Sequence, residues 1–197
     1  MQPGSAADAW LADVRTTLAL SPRSPTAPAI AQLADDLAAR ALRFDLPSAR
    51  ALAGEFAAQG GYHRCLVAAN DHASLTALLI SWPRAYRTPL HDHAGLWGIE
   101  LVLDGALEVE EYRLDGSDPA HAQPVPQRRL VLGVGDAAVF GGRDYAHRCR
   151  NLSATHAALS LHVYGGVLDH HHAYDATPHG DYVVRPQRAH VDACLGA

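Results

Sequence analysis

The chain has little of what several function classes need. No apolar run approaches the roughly 18 residues that cross a bilayer, and Met1 to Ser5 holds no basic stretch leading into an apolar core. Neither a membrane partner nor a secretory leader is therefore expected. A net charge of -5 leaves no basic surplus, which argues against nucleic acid and anionic membrane surfaces as partners. No GxGxxG and no P-loop is present to seat a nicotinamide or flavin. The three cysteines, Cys65, Cys149 and Cys194, are odd in number and form no CxxC, so free thiols in a reducing, cytoplasmic compartment are expected, packed as small buried hydrophobes. No repeat and no linker divides the 197 residues, and residues 1–197 read as a single domain.

What is present is a soluble, globular composition, 48% apolar and 19% charged, with thirteen histidines against one methionine. Residues 1–60 read as helical. Trp10, Leu11, Val14, Leu18 and Leu20 give a helical period within Ala6 to Leu20, and Ile30, Leu33, Leu37 and Ala41 mark a second buried stripe ending near Leu42 to Asp45. Pro47, Leu52 and Phe56 suggest a third helix that stops at Gly60-Gly61. From residue 61 to about 185 the texture becomes short apolar runs. Candidate strands are Tyr62 to Ala68, Ser74 to Trp82, Trp97 to Leu103, Ala106 to Leu114, Arg129 to Leu132, Ala137 to Phe140, Ala146 to Arg150 and His156 to Tyr164. Asp104-Gly105 reads as a hairpin turn, Asp115 to Gln127 as a loop, and 186–197 as a C-terminal tail. So many short strands predict a mainly β chain folded as a jelly-roll sandwich or barrel, with the N-terminal helices on one face or end.

His91-Asp92-His93 places two imidazoles two positions apart, on one face of an extended strand and within reach of one ion. A third histidine, His147, follows the Gly135-Asp136 turn and precedes Asn151 by four residues. From Tyr62 to Asp175 this order resembles the two-part metal signature of the cupin barrel. Many cupins add a glutamate ligand four to five residues after His-x-His; those positions here are Trp97 and Gly98, with Glu100 two further on. The resemblance therefore implies three histidine ligands and no carboxylate. Three neutral imidazoles leave a divalent charge uncompensated, which favours an anionic ligand such as a thiolate. Imidazole suits nickel, copper, zinc and iron alike, so the donor set does not by itself name the metal.

His91-Asp92-His93, His147-Arg148 and Ser160-Leu161-His162-Val163-Tyr164 together resemble the cysteine dioxygenase family of thiol dioxygenases. Tyr62-His63-Arg64 resembles that family's substrate-carboxylate segment, and Asp169 with His172 to Asp175 resembles the segment after its Ser-His-Tyr strand. The resemblance implies Fe(II) on His91, His93 and His147, and a catalytic relay of Ser160, His162 and Tyr164. It also implies substrate binding by Arg64 and Tyr62, with a small thiol and dioxygen as partners of a monomer or small homo-oligomer. Arginine at 64 leans toward cysteine or another carboxylate-bearing thiol, since the mercaptopropionate branch has glutamine there. Mercaptosuccinate, mercaptopropionate, larger thiols or thiones, another cupin chemistry, and a non-catalytic metal-binding module stay open. From the residues themselves, Arg64 offers a fork for a carboxylate or a structural ion pair, and Tyr62 a pocket wall or plain packing. His170-His171-His172 suits a solvated loop or one imidazole at the pocket rim. Gly98 stands where animal members carry a cysteine cross-linked to the relay tyrosine, so no thioether to Tyr164 is expected.

Overall fold

A computed structural model describes residues 6–22, 25–43, 51, 61–70, 75–116 and 121–194. The helix α1, Ala6–Ala19, buries Trp10, Leu11, Val14 and Leu18, whereas Leu20 lies past its end and is 82% exposed. In α2, Ala27–Ala41, the Thr26 side chain caps the first turn by accepting from the Ala29 N–H, and Pro28 sits where a missing N–H costs nothing. Its buried stripe is Ile30, Leu33, Ala34, Leu37 and Ala41. Apart from Ala51, the third helix expected between Pro47 and Gly60 lies outside the described residues.

Among the described residues the strands form two six-stranded sheets. The first runs β12 (Ala193–Cys194), β1 (His63–Asn70), β2 (Leu75–Trp82), β9 (Ala158–Tyr164), β4 (Gly98–Asp104), β7 (Ala137–Phe140). The second runs β11 (Tyr182–Arg188), β10 (His170–Ala176), β3 (Leu90–His91), β8 (Tyr145–Asn151), β5 (Leu107–Asp115), β6 (Gln123–Leu132). All pairings are antiparallel except β1 with β12. This is the mainly β cupin (jelly-roll) barrel with an N-terminal helical segment.

Strand parity makes the first sheet a partition between two interiors. Leu75, Ala77 and Leu79 of β2, Leu159, Leu161 and Val163 of β9, and Ile99, Leu101 and Leu103 of β4 pack under the helices. The alternate residues face the second sheet, where Leu78, Ile80, Trp82, Val102 and Tyr164 meet Leu107, Val109, Leu132 and Cys149. Because both faces are covered, β2, β4 and β9 are buried throughout; β2 reads as a near-continuous apolar run, whereas Glu100 of β4 and Ser160 and His162 of β9 are polar side chains set among apolar ones.

Three expectations need correction. Asp104-Gly105 does not turn a hairpin: β4 pairs with β7 and β9, and β5 with β6 and β8, so the chain crosses from one sheet to the other there. Gly105 makes that corner at φ 81°, and a Cβ would lie 2.8 Å from the Ala158 Cβ. Asp115 to Gln127 is not all loop, since β6 begins at Gln123 and carries Pro124 and Pro126 on a sheet edge, where proline removes no ladder bond. Residues 186–194 are not all tail, because β11 continues to Arg188 and β12 pairs with β1; residues 195–197 lie outside the described residues. Cys65 and Cys149 are buried and form no disulfide among the described residues; of Cys194 only the backbone is described.

Candidate active site

His91 ends β3 and pairs directly with His147 of β8. One ring nitrogen from each of His91, His93 and His147 lies within 4.8 Å of the others. The strand stops at His91, so extended geometry alone does not hold His93. Asp92 anchors the segment instead. Its buried carboxylate accepts from the N–H groups of Ala94 (3.2 Å) and His172 (2.9 Å), from His172 Nδ1 (2.9 Å) and from Tyr174 Oη (2.9 Å). Burial alone would raise this carboxyl; the four donors outweigh it and hold it below the ordinary carboxylate range.

The outer ring nitrogens fix the tautomers. His91 Nδ1–H donates to the Pro89 carbonyl at 3.0 Å, leaving Nε2 as the free lone pair. His147 Nδ1 meets Tyr145 Oη at 3.2 Å, and the Tyr145 hydroxyl donates onward to Glu111 Oε1 at 3.4 Å. That direction again frees Nε2. Burial lowers the pKa of all three imidazoles, so they are neutral at neutral pH. His93 Nδ1 is buried without a hydrogen-bond partner. Three converging neutral imidazoles, one with an orphaned buried nitrogen, fit a divalent transition metal. A second cluster shares His147: Glu100, His147 and Cys149 also offer ligand atoms within 4.8 Å, all buried.

Ser160, His162 and Tyr164 alternate along β9 and face the barrel interior as a continuous hydrogen-bonded line. Trp82 Nε1–H donates to Ser160 Oγ (2.8 Å), Ser160 Oγ meets His162 Nε2 (2.9 Å), and His162 Nδ1 meets Tyr164 Oη (3.3 Å). With Ser160 accepting from Trp82, its own proton goes to His162 Nε2, and Nδ1–H then donates to Tyr164 Oη. The Tyr164 proton is left to point outward. Burial lowers His162 to about 3, which keeps it neutral, and raises the Tyr164 phenol, which keeps it protonated.

Tyr164 and His91 line a cavity of about 110 Å³ together with Tyr62, Arg64, Tyr86, Thr88, Leu168 and His171. Arg64 makes no ion pair among the described residues. That sets it apart from the arginines of the second sheet, where Arg87, Arg129, Arg148 and Arg150 are matched to Glu108 and Glu110. Its backbone is pinned instead: the Arg64 N–H donates to Asp192 Oδ2 at 2.8 Å and the Asp192 N–H to the Arg64 carbonyl at 2.9 Å. Tyr62 both packs and lines, stacked on Tyr86 at 4.8 Å and edge-on to Trp82 at 5.1 Å. His170 to His172 is strand, not solvated loop; His171 reaches the cavity, with its ring 5.5 Å from that of His91, and His172 holds Asp92. Asn151 is a clamp, its amide donating to the carbonyls of Trp82, Pro83 and His156.

Sequence reasoning missed Asp92, Trp82 and Glu100. For Glu100 the deciding signal is cross-strand: Gly98, Glu100 and Val102 pair with Tyr164, His162 and Ser160 and so share their side of the sheet, a pairing that parity along one strand does not reveal. Gly98 pairs with Tyr164, and the space a side chain would need there is filled by Phe140, whose Cζ lies 2.2 Å from an added Cβ.

Residues 17–177 match the family model of cysteine dioxygenase type I. The Homo sapiens cysteine dioxygenase type 1 is 28% identical over 98 residues, 50% of this chain and 48% of that protein. The Bos taurus enzyme is 26% identical over 108 residues, 54% of this chain and 53% of that one. The chain thus spans about half the length of the curated relatives it matches. Among solved structures, the Schizosaccharomyces pombe Cnp3 cupin domain is 10% identical at a TM-score of 0.42, covering 54% of this chain and 61% of that chain.

Proposed function

The chain belongs to the cysteine dioxygenase type I family, and on that premise we propose that it is an iron(II)-dependent thiol dioxygenase. It adds both atoms of dioxygen to the sulfur of a small carboxylate-bearing thiol, giving a sulfinate, with L-cysteine to cysteine sulfinate as the first reaction to test. The observation that carries this reading is one cavity holding an unpaired arginine, a hydrogen-bonded tyrosine and the edge of a three-histidine cluster. Atoms and electrons balance without a co-reductant, because thiol to sulfinate releases four electrons and dioxygen consumes four.

Iron on His91, His93 and His147 would supply the site where thiolate and dioxygen are activated together. The residues of the chain do the rest. Arg64 grips the substrate carboxylate with its planar fork and so sets where the sulfur lies. Tyr164 directs its hydroxyl proton into the cavity, toward the substrate carboxylate or the oxygen. Ser160 and His162 keep that proton outward by filling the other side of the phenol, and Trp82 fixes the direction of the whole line. Tyr62 supports the wall beside Arg64. The reading takes the chain as one domain acting in the cytoplasm, where buried free cysteines stay reduced. No described helix is long and apolar enough to cross a membrane.

The test is oxygen consumption by the iron(II)-loaded protein against cysteine, mercaptosuccinate, mercaptopropionate and larger carboxylate-bearing thiols and thiones, with products weighed by mass spectrometry. Fast uptake with a gain of two oxygens is expected for at least one of them. Bound iron with no uptake on any of them would sink the thiol reading.

A further inference from the structure

Glu100 has none of its surface exposed, yet no arginine or lysine pairs with it among the described residues. Its Oε2 accepts one hydrogen bond, from the Cys149 thiol at 3.4 Å, and its Oε1 accepts none. Two histidines flank it. His147 Nδ1 lies 3.9 Å from Oε2, and His162 Nε2 lies 3.8 Å from Oε1. Both separations are too long for a hydrogen bond, and neither neutral ring supplies an opposite charge. Each histidine has its direct partner elsewhere, His147 Nδ1 with Tyr145 Oη at 3.2 Å and His162 Nε2 with Ser160 Oγ at 2.9 Å. Hydrogen bonding therefore does not account for the carboxyl. Packing does not either, because an apolar side chain of this size would fill the same space without desolvating an acid.

What does account for it is charge. The inner ligands His91, His93 and His147 are neutral imidazoles, so a divalent ion held by them brings its whole charge into a buried site. Glu100 stands one layer behind His147, on the side where that ligand's ring turns its outer nitrogen. We propose that Glu100 is the counter-charge of the metal centre. It is a positioning residue that raises metal affinity through His147 and steadies the His147–His162 layer, at the expense of the metal-free fold. This rests on the metal assignment made above. It also gives Cys149 a task, since its S–H is the one hydrogen bond that turns the carboxylate toward His147.

The test compares the parent with E100Q, which keeps the shape and loses the charge, and E100L, which removes the polar group. Two quantities are read: iron(II) affinity by competition with a colorimetric chelator, and the melting midpoint of the metal-free protein. Both variants should bind iron roughly 10–100-fold more weakly, the size usual for residues that support a metal ligand. E100L without metal should melt at or above the parent, which an ordinary structural residue would not produce, and E100D should recover part of the affinity. Parent-like affinity in E100Q and E100L overturns the proposal, and so does a parallel loss of affinity and metal-free midpoint. C149A should still bind iron and H91A should not; the reverse would put the ion on Glu100, His147 and Cys149 and also overturn it. A parent that binds no iron defeats the metal assignment itself, a result distinct from either.

Discussion

Adding one methyl group at Gly98 tests the packing that supports the candidate metal site. In G98A the new Cβ would lie 2.2 Å from Phe140 Cζ and 2.4 Å from Cε2. Ordinary carbon contacts begin at about 3.5 Å, so the ring must retreat by about 1.3 Å. It has little room to do so. Phe140 is 5% exposed, stacked on His93 at 4.6 Å and on Tyr145 at 5.1 Å. Overpacking of this kind costs about 1–3 kcal/mol. At about 2–4 °C per kcal/mol for a chain of this size, the melting midpoint should fall by roughly 2–12 °C. Because the displaced ring presses on His93, iron affinity should fall as well. The assay is calorimetry of G98A, F140L and the double variant, each with and without iron. F140L makes room, so the double variant should recover part of the loss, with a coupling of about 0.5–3 kcal/mol. A G98A protein that melts and binds iron like the parent, or a strictly additive double variant, would refute the account.

Arg64→Ala removes a charge-assisted contact worth about 1.5–3 kcal/mol, so KM for the carboxylate thiol should rise roughly 10–150-fold with kcat changed far less; an unchanged KM removes Arg64 from substrate binding. Tyr164→Phe deletes the outward hydroxyl and should lower kcat by about 100-fold while iron content stays that of the parent, and a parent-like kcat would leave the relay without a catalytic part. Acid should weaken the metal-free protein in a set window. His162 is held at about 3 when folded against about 6.5 when unfolded, so between those values the unfolded chain binds a proton that the folded chain refuses. Stability is then fully present above about pH 6.5 and falls on acidification by about 1.4 kcal/mol per pH unit from this group alone. His93 and His147 shift in the same direction; urea midpoints that stay flat from pH 7 to pH 5 would contradict it.

The buried framework was legible because periodicity reports burial. The stripes Trp10–Leu18 and Ile30–Ala41 and the apolar runs of β2, β4 and β9 are where one residue type must fill one face. The clustering of His91, His93 and His147 and the line Ser160–His162–Tyr164 were legible because their spacing is set within single strands and turns. Other features were hidden for a different reason, in that they depend on partners distant in sequence. β11 lies at an edge with most of its residues exposed, so no apolar pattern marks it, and the prolines of β6 mimic a loop. At Asp104-Gly105 the turn is local, but which sheet accepts the next strand is decided by β6 and β8. Asp92 looks like a spacer between two histidines until Tyr174 and His172 arrive across the sheet. Glu100 looks like a surface charge in a strand until both faces of that strand are covered.

The strapping of β1 by Asp192 bears on the order in which the molecule is made. The candidate metal ligands span only residues 91 to 147, and β3 and β8 join two of them within that stretch. Arg64, by contrast, shares two backbone contacts with a residue 128 positions away. During synthesis the histidines can gather while the strand that carries Arg64 still has one open edge. Contacts of such long sequence separation form late and slowly. On the proposed function, a nascent chain would therefore gather its candidate metal ligands before it has a finished seat for a carboxylate, and the pocket closes only once residues near 192 have left the ribosome.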